Sequence, residues 1–227
     1  MNGWSTRALV QWVGIWCGLG LVGLAWVTLT SFDEWISQAL YSRSWLLDHA
    51  ELVERWYRWP KVCSIAAALA VIGFALWGRY PVSRGVMPRR VRLYLVIAVI
   101  SVPIVTWLLR EMSASVCPRE LTLLGGSAMH RSFLDWSWQG IGAGRCNPSG
   151  HMSSFSWWLA LCLVKPPQGS RIGILVLAVT LMFALGSVQI IKGAHFLSHL
   201  YWSVWWAGGI CLLIVYLCLP KTRLQVG

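Results

Sequence analysis

The chain has 227 residues, of which 57% are apolar and only 12% are charged, and its formal net charge is +11. Soluble domains carry about 25% charged residues, so this composition excludes an ordinary soluble protein and indicates a multi-span membrane protein. The basic residues are spread over several loops rather than gathered in one patch. We therefore expect the membrane bilayer, and no nucleic acid, as a partner.

Six apolar runs alternate with polar loops along the chain. They cover residues 8–30, 61–78, 93–109, 152–164, 172–191 and 199–219. A membrane helix needs about 20 apolar residues, so we expect the short fourth run to tilt or to borrow a turn from its flanks. The sequence predicts an all-α integral membrane bundle of about six transmembrane helices, folded as a single domain over residues 1–227.

The basic residues of the loops predict the orientation of this bundle. Basic residues lie in three segments, 79–92, 165–171 and the tail beyond 219. Such segments are typical of the cytoplasmic side, and an even number of spans then places both termini in the cytoplasm. The opposite side receives the other three loops, 31–60, 110–151 and 192–198. In the first of them, Trp35 to Trp59 predicts either an amphipathic surface helix or a plain connecting helix.

Arginines on the predicted outer side are the first candidates for chemistry. Arg110 ends the third apolar run, and Cys117-Pro118-Arg119 follows shortly after it. Arginine suits phosphate because its planar fork donates two parallel hydrogen bonds and stays charged. The positive-inside bias should deplete Arg119, Arg131 and Arg145 from this side. Their presence indicates an anionic ligand, with a solvated loop as the alternative.

The tetrapeptide Pro148-Ser149-Gly150-His151 opens the fourth apolar run. Ser149 can cap the helix, Gly150 permits close approach of the backbone, and the free N–H groups of the first turn attract an anion. Imidazole has an ordinary pKa near 6.5, so His151 suits proton donation to a leaving group. Taken alone, this segment is also typical of a capped helix start with an interfacial histidine.

A second cluster opens the sixth apolar run. Gly193 and Ala194 leave room beside His195, and Lys192 supplies a cation. His195 and His199 are four residues apart, so they share one face if the sixth helix begins here. Because both histidine clusters are predicted at the same membrane face, the pair indicates phosphate chemistry there.

Together these segments resemble the type 2 phosphatidic acid phosphatases, the membrane-bound relatives of vanadium haloperoxidases. The signature of that family is K-x6-R-P, then P-S-G-H, then S-R-x5-H-x3-D. The resemblance covers residues 93–215, and the middle part is unchanged at 148–151. The order, the spacing and the predicted outward placement of the three parts also agree.

Two parts of the signature are altered in this chain. The substituted positions are Arg110 for lysine, Cys117 for arginine, Val188 and Gln189 for the serine–arginine pair, and His199 for aspartate. Arg119 and Lys192 lie close enough in sequence to supply the missing cations. The cysteine before proline, the Gly125-Gly126 pair and the His-Phe-Leu-Ser-His run resemble a variant bacterial subgroup of the family.

The resemblance implies a role for each candidate residue. His195 would attack phosphorus to give a phosphohistidine, and His151 would protonate the leaving oxygen and then activate water. His199 would orient His195 in place of the aspartate, with Glu111 or Asp135 as an assisting acid. The implied phosphate ligands are Arg110, Arg119, Arg145, Ser149, Gly150, Gln189 and Lys192. No metal or other cofactor is implied.

Two of the seven cysteines lie in the longest polar loop, while the others lie in or beside apolar runs. Cys117 and Cys146 flank two parts of the signature on the predicted oxidising side. A disulfide between them would fix the ends of the 110–151 loop near the site. We therefore expect this disulfide.

The resemblance implies hydrolysis of a phosphate ester or diphosphate on a membrane lipid at the periplasmic face of a bacterial inner membrane. Undecaprenyl diphosphate, phosphatidic acid, phosphatidylglycerol phosphate and lipid A are the candidate substrates. A lipid-to-lipid phosphoryl transferase is the nearest alternative, since the phosphohistidine could pass to an alcohol. The others are a zinc enzyme that uses His195 and His199 as ligands together with His151 or a carboxylate, and a non-catalytic lipid-binding protein. The oligomeric state is not readable from these patterns.

Overall fold

The computed structural model describes residues 4–78, 86–129, 144–163, 170–218 and 221–222. The long helices are α1 (Thr6–Leu29), α4 (Ala50–Trp77), α5 (Arg89–Met112), α8 (Ser170–Ile191) and α9 (Leu197–Cys218). The short ones are α2 (Phe32–Leu40), α3 (Arg43–Asp48), α6 (Gly150–Ser156) and α7 (Trp158–Leu163), with 3-10 turns at Pro118–Glu120 and Thr122–Leu124. Two-residue strands, β1 (Trp4–Ser5) and β2 (Lys221–Thr222), complete the described elements.

Four of the described helices are long and apolar enough to cross a membrane, namely α1, α4, α5 and α9. The fifth predicted run lies in α8, whose described apolar stretch, Leu175–Ile191, is shorter than a span. The prediction of a helical membrane bundle is confirmed, with four candidate spans in the part of the chain that is described. The count of six remains a prediction.

The fourth predicted run is not one helix but two, separated at Trp157. The hydroxyl groups of Ser153, Ser154 and Ser156 all donate to carbonyls three or four residues earlier. Such bonds compete with the regular helix ladder and bend it. The indoles of Trp157 and Trp158 donate to Ser64 Oγ of α4, at 3.2 and 3.1 Å. The break is therefore held against a neighbouring helix.

Helix α9 lies at the centre of the bundle and contacts α1, α5, α6, α7 and α8. Where α9 meets α1, the rings of Trp16 and Trp205 stack with centroids 4.3 Å apart. Each indole N–H donates to the carbonyl of the other tryptophan, at 2.8 and 2.9 Å. Gly20 lets the Trp205 ring lie against α1, since a Cβ there would be 2.9 Å from it. Both indole donors are thus paired within an apolar interface.

The segment 31–60 was predicted as one amphipathic or connecting helix on the outer side. It is instead broken at Tyr41 and at His49 into α2, α3 and the start of α4. Helix α2 packs on α8 and α9. Asp33 Oδ1 of α2 accepts the N–H of Ser198 at 3.0 Å. The carboxylate thereby pairs a free N–H in the first turn of α9 and fixes α2 to the central helix.

The two ends of the described chain are adjacent, because β1 pairs in parallel with β2 and Trp4 lies opposite Lys221. Both ends therefore lie at one end of the bundle, as an even number of crossings requires. The side of the membrane on which they lie remains a prediction. The basic segments behind it fall partly on residues 79–85, 164–169 and 223–227, outside the described residues.

Candidate functional site

The two predicted histidine clusters meet at one end of the bundle. His151 lies in the first turn of α6, His195 in the turn before α9, and His199 in the first turn of α9. All three are buried, with exposed fractions of 5%, 7% and 2%. The rings of His195 and His199 stand edge to face with centroids 5.8 Å apart. His151 is close enough to His195 to lower its pKa.

The turn that carries His195 is built on the end of α8. The N–H groups of Ala194 and His195 both donate to the Gln189 carbonyl, at 2.8 and 3.3 Å. Gly193 has φ +60°, a backbone conformation that suits glycine. Gln189, a predicted phosphate ligand, thus serves the site through its backbone. Its side chain is 1% exposed, and its Nε2 has no hydrogen-bond partner among the described residues.

Neighbouring segments close tightly around this turn. The Arg119 N–H donates to the Gly193 carbonyl at 2.8 Å. A Cβ at Gly193 would lie 2.8 Å from the ring of Tyr41, which leaves room only for glycine. The segment after α5 and the end of α2 therefore both pack on the turn before α9.

The carbonyl of Cys146 orients the His195 imidazole, with Nδ1 at 2.9 Å from that oxygen. A carbonyl can only accept, so Nδ1 carries the proton and Nε2 carries the lone pair. His199 was expected to receive this bond, and that expectation is wrong. Nε2 of His199 instead lies 3.0 Å from Ser115 Oγ.

Cys146 is covalently bonded to Cys117, as the sequence predicted, with 5.3 Å between the two Cα atoms. The backbone beside it pairs with the segment that follows α5. The N–H of Arg145 donates to the Ser113 carbonyl at 3.0 Å, and that of Cys146 to the Ser115 carbonyl at 3.1 Å. One disulfide and two backbone hydrogen bonds thus place the Cys146 carbonyl at His195.

Arg110 enters the site from the last turn of α5. Its Nε donates to the Arg145 carbonyl at 2.6 Å. A Cβ at position 150 would lie 3.0 Å from Arg110 Nη1, so Gly150 lets the guanidinium rest against the start of α6. The Arg145 side chain was predicted to bind phosphate, but it pairs with Glu111 at 3.1 Å. Arg145 therefore contributes its carbonyl, and Glu111 is engaged there rather than at His195.

Asp135, the other suggested acid, and Arg131 lie outside the described residues. Ser149 is fully buried and acts as the predicted helix cap, since its hydroxyl accepts the Met152 N–H at 3.4 Å. Its own N–H donates to Ser203 Oγ of α9 at 2.8 Å. Beside it, the amide of Asn147 is fully buried, and neither amide atom has a partner among the described residues.

The site is strongly cationic. The pKa of His195 is lowered to about 3, chiefly by burial and next by Arg110, while the bond to Cys146 opposes the shift. His151 lies outside the four candidate spans, and burial, Lys61 and Lys192 lower its pKa to about 4. Both imidazoles are therefore neutral at pH 7 while the cations around them attract an anion.

Lysines and Arg119 complete this positive field. Burial lowers the pKa of Lys192, Arg119 adds to the effect, and Glu54 of α4 opposes it. Lys61 was missed at the sequence level, although it is a basic residue at the predicted outer end of a span. That is the same departure from the positive-inside bias by which the outer arginines were noticed.

A metal site is disfavoured by the donor set. Among the described residues, ligand atoms of Cys146, His195 and His199 lie within 4.8 Å of one another. The Cys146 sulfur is already bonded to Cys117, and His195 Nδ1 carries a proton. The imidazoles of His195 and His199 are the remaining donors of this group, fewer than the three protein ligands of a catalytic zinc site, and His151 is not a member of it.

No protein-family model, no curated protein and no solved structure matches the chain. The likeness to the type 2 phosphatidic acid phosphatases rests on the signature residues. Arg110 and His151, from the first two parts of the signature, both lie close enough to His195 of the third part to lower its pKa.

Proposed function

We propose that the chain is a metal-independent lipid phosphatase that forms a phosphohistidine on His195. One observation carries the proposal: a buried imidazole has its Nδ1–H fixed by a carbonyl, which leaves Nε2 unprotonated within a cationic site. A neutral imidazole nitrogen is a nucleophile, and nearby cations stabilise the charge that develops on a transferring phosphoryl group.

Hydrolysis takes two steps. In the first, His195 Nε2 attacks phosphorus, the N–P bond forms, the bond to the leaving oxygen breaks, and His151 protonates that oxygen. In the second, water attacks phosphorus and gives a proton to His151, the N–P bond breaks, and phosphate leaves. Arg110 and Lys192 stabilise the phosphoryl charge in both steps.

The first step needs a proton, and His151 carries none at pH 7 before the substrate binds, because its pKa is about 4. A phosphate monoester has a second pKa of about 6, so its monoanion brings a proton with it. Transfer of that proton to His151 gives an imidazolium beside a phosphate dianion. The two opposite charges stabilise each other in a buried site.

We place the site at the periplasmic face of a bacterial inner membrane. A disulfide beside the nucleophile is typical of an oxidising compartment, and β2 of the predicted cytoplasmic tail follows the end of α9 that lies away from the site. The substrate class is a phospholipid or isoprenoid phosphate, such as phosphatidic acid, phosphatidylglycerol phosphate, undecaprenyl diphosphate or lipid A. Its hydrocarbon stays in the bilayer while its phosphate reaches the buried histidines.

The test measures phosphate release from this lipid panel by the detergent-purified wild type and by the His195→Ala variant. We expect the variant to lose on the order of 10⁴-fold or more in kcat, as after removal of other nucleophiles. A matched control is His49→Ala, since His49 is exposed and its ring stacks on Trp45. Rapid quenching with a labelled substrate should trap acid-labile phosphate on His195.

Equal inactivity of wild type and His195→Ala on every lipid would overturn the proposal and favour the non-catalytic alternative. Loss of activity in a strong chelator would favour the metal alternative instead. Label that appears in an added acceptor lipid, with little free phosphate, would identify the transferase.

A further inference from the structure

We infer that the Cys117–Cys146 disulfide is a positioning element for the nucleophile, so that the site is competent only while this bond is formed. The inference rests on the proposed function for the task of His195. It goes beyond that function by assigning control of the nucleophile to a backbone carbonyl and to the oxidation state of two thiols.

A neutral backbone group orients His195. The Cys146 carbonyl lies 2.9 Å from Nδ1. Glu111, the described one of the two acids that the sequence suggested, pairs with Arg145. Asp33 accepts a hydrogen bond from the Ser198 backbone. A carboxylate would attract an imidazole over some distance, whereas a neutral carbonyl acts only at hydrogen-bond range. The position of Cys146 therefore decides whether His195 is oriented.

Cys146 is held by one part of the chain, the segment that follows α5. The segment 144–146 lies along the segment 113–115 through two backbone hydrogen bonds, and its sulfur is bonded to Cys117. Segment 113–115 also contacts His199, through Ser115 Oγ. The disulfide closes a sequence separation of 29 residues. Without it, these two backbone bonds, the bond from Arg110 to the Arg145 carbonyl and the Arg145–Glu111 ion pair would have to hold the end of that long connection against its conformational entropy.

The position of the Cys146 carbonyl determines the reactivity of His195 Nε2. A neutral imidazole carries its proton on either nitrogen, and only the Nδ1–H form leaves a lone pair on Nε2. Displacement of the Cys146 carbonyl removes the preference for that form. Misplacement of a reacting group by 1 Å can cost about 10²-fold in rate, and we expect a loss of that order in kcat. Arg110 belongs to α5 and Lys192 directly follows α8, so neither cation is part of the displaced segment, and we expect KM to change by less than about 3-fold.

The experiment uses the full chain in detergent, with histidines labelled with ¹⁵N in the ring. Wild type is compared before and after treatment with dithiothreitol, which reduces the disulfide to two thiols and becomes a cyclic disulfide itself. The Cys117→Ala/Cys146→Ala variant is measured beside it, and Cys63→Ala serves as control because Cys63 is an exposed free cysteine. The His195 signals are identified by their absence in His195→Ala.

We expect oxidised wild type and Cys63→Ala to show protonated Nδ1 and unprotonated Nε2 at His195. Reduction, or loss of both cysteines, should give a mixture of the two tautomers and a kcat lower by about 10²-fold. Reoxidation of the reduced wild type should restore both properties. Tryptophan fluorescence verifies that each sample is folded, and reversible reduction gives a result even if the double variant does not fold.

The inference is overturned if reduced wild type keeps the Nδ1–H tautomer and full kcat, or if reoxidation restores neither. A separate outcome concerns the proposed function. If no sample hydrolyses any lipid but the tautomer still follows the disulfide, positioning stands and the phosphatase proposal falls.

Discussion

The two halves of the site are held by different parts of the chain. The half at 148–151 is fixed by side chains, since Ser203 accepts the Ser149 N–H and the Arg110 guanidinium rests on Gly150. In the half at 192–199, the turn that carries His195 is held by the backbone carbonyls of Cys146 and Gln189. Of the departures from the third part of the signature that the chain resembles, His199 falls in the second half, and Val188 and Gln189 lie shortly before that half. A backbone carbonyl is present whatever the residue, so that half admits different side chains.

The largest expected effect breaks the side-chain-held half. Arg110→Gln removes the cation beside Gly150, and we expect kcat/KM to fall about 10³-fold, the loss that removal of an electrostatic stabiliser causes. The matched control is Arg55→Gln, because Arg55 lies on the surface with an exposed ion pair to Glu51. Steady-state phosphate release measures both. A loss of less than 5-fold for Arg110→Gln would show that the guanidinium does not stabilise the phosphoryl group.

The next largest effect is the pH dependence of kcat/KM, which depends on the protonation of the histidines in the two halves. The pKa values of His195 and His151 are lowered to about 3 and about 4, so both are neutral above pH 5. The substrate monoanion then supplies the proton, and kcat/KM for a phosphate monoester should fall about tenfold per pH unit above pH 6. Between pH 5 and 6 it should stay near its maximum. A bell-shaped profile centred near pH 7 would contradict this, because it would require a histidine with an ordinary pKa.

The smallest effect tests how the first half is anchored. Ser203→Ala leaves the buried Ser149 N–H without its acceptor, and we expect a loss of about 1–3 kcal/mol in the free energy of unfolding. Ser187→Ala is the control, since that hydroxyl donates only to Ala184 in its own helix. Titration with SDS measures both, and kcat should change by less than tenfold. Equal stability of the two variants would show that another group holds Ser149.

Apolar run length predicts the four described helices that are long enough to cross a membrane, because burial of a span in lipid depends on composition. The histidine clusters and the Cys117–Cys146 pair were visible for a similar reason, since their chemistry belongs to the side chains. The break at Trp157 was not, because it depends on bonds between serine hydroxyls and carbonyls and on Ser64 of another helix.

The orienting carbonyl and the distant partners of the site were also invisible. Every residue has a carbonyl, so nothing in the sequence marks that of Cys146 as the partner of His195. Ser203 and Asp33 are ordinary residues on separate helices, and only the packing of α9 brings them to the site. These contacts arise from tertiary structure, which a linear pattern of residue types does not contain.

The bond between Asp33 and the Ser198 N–H has a consequence for biosynthesis. The two residues are 165 positions apart in the chain. At about 5–20 residues per second, the ribosome makes Asp33 roughly 8–33 s before Ser198. During that interval the Asp33 carboxylate of α2 has no Ser198 N–H to accept. The contact between α2 and α9 therefore forms only after α9 has been made, and a chain truncated before α9 should carry no activity.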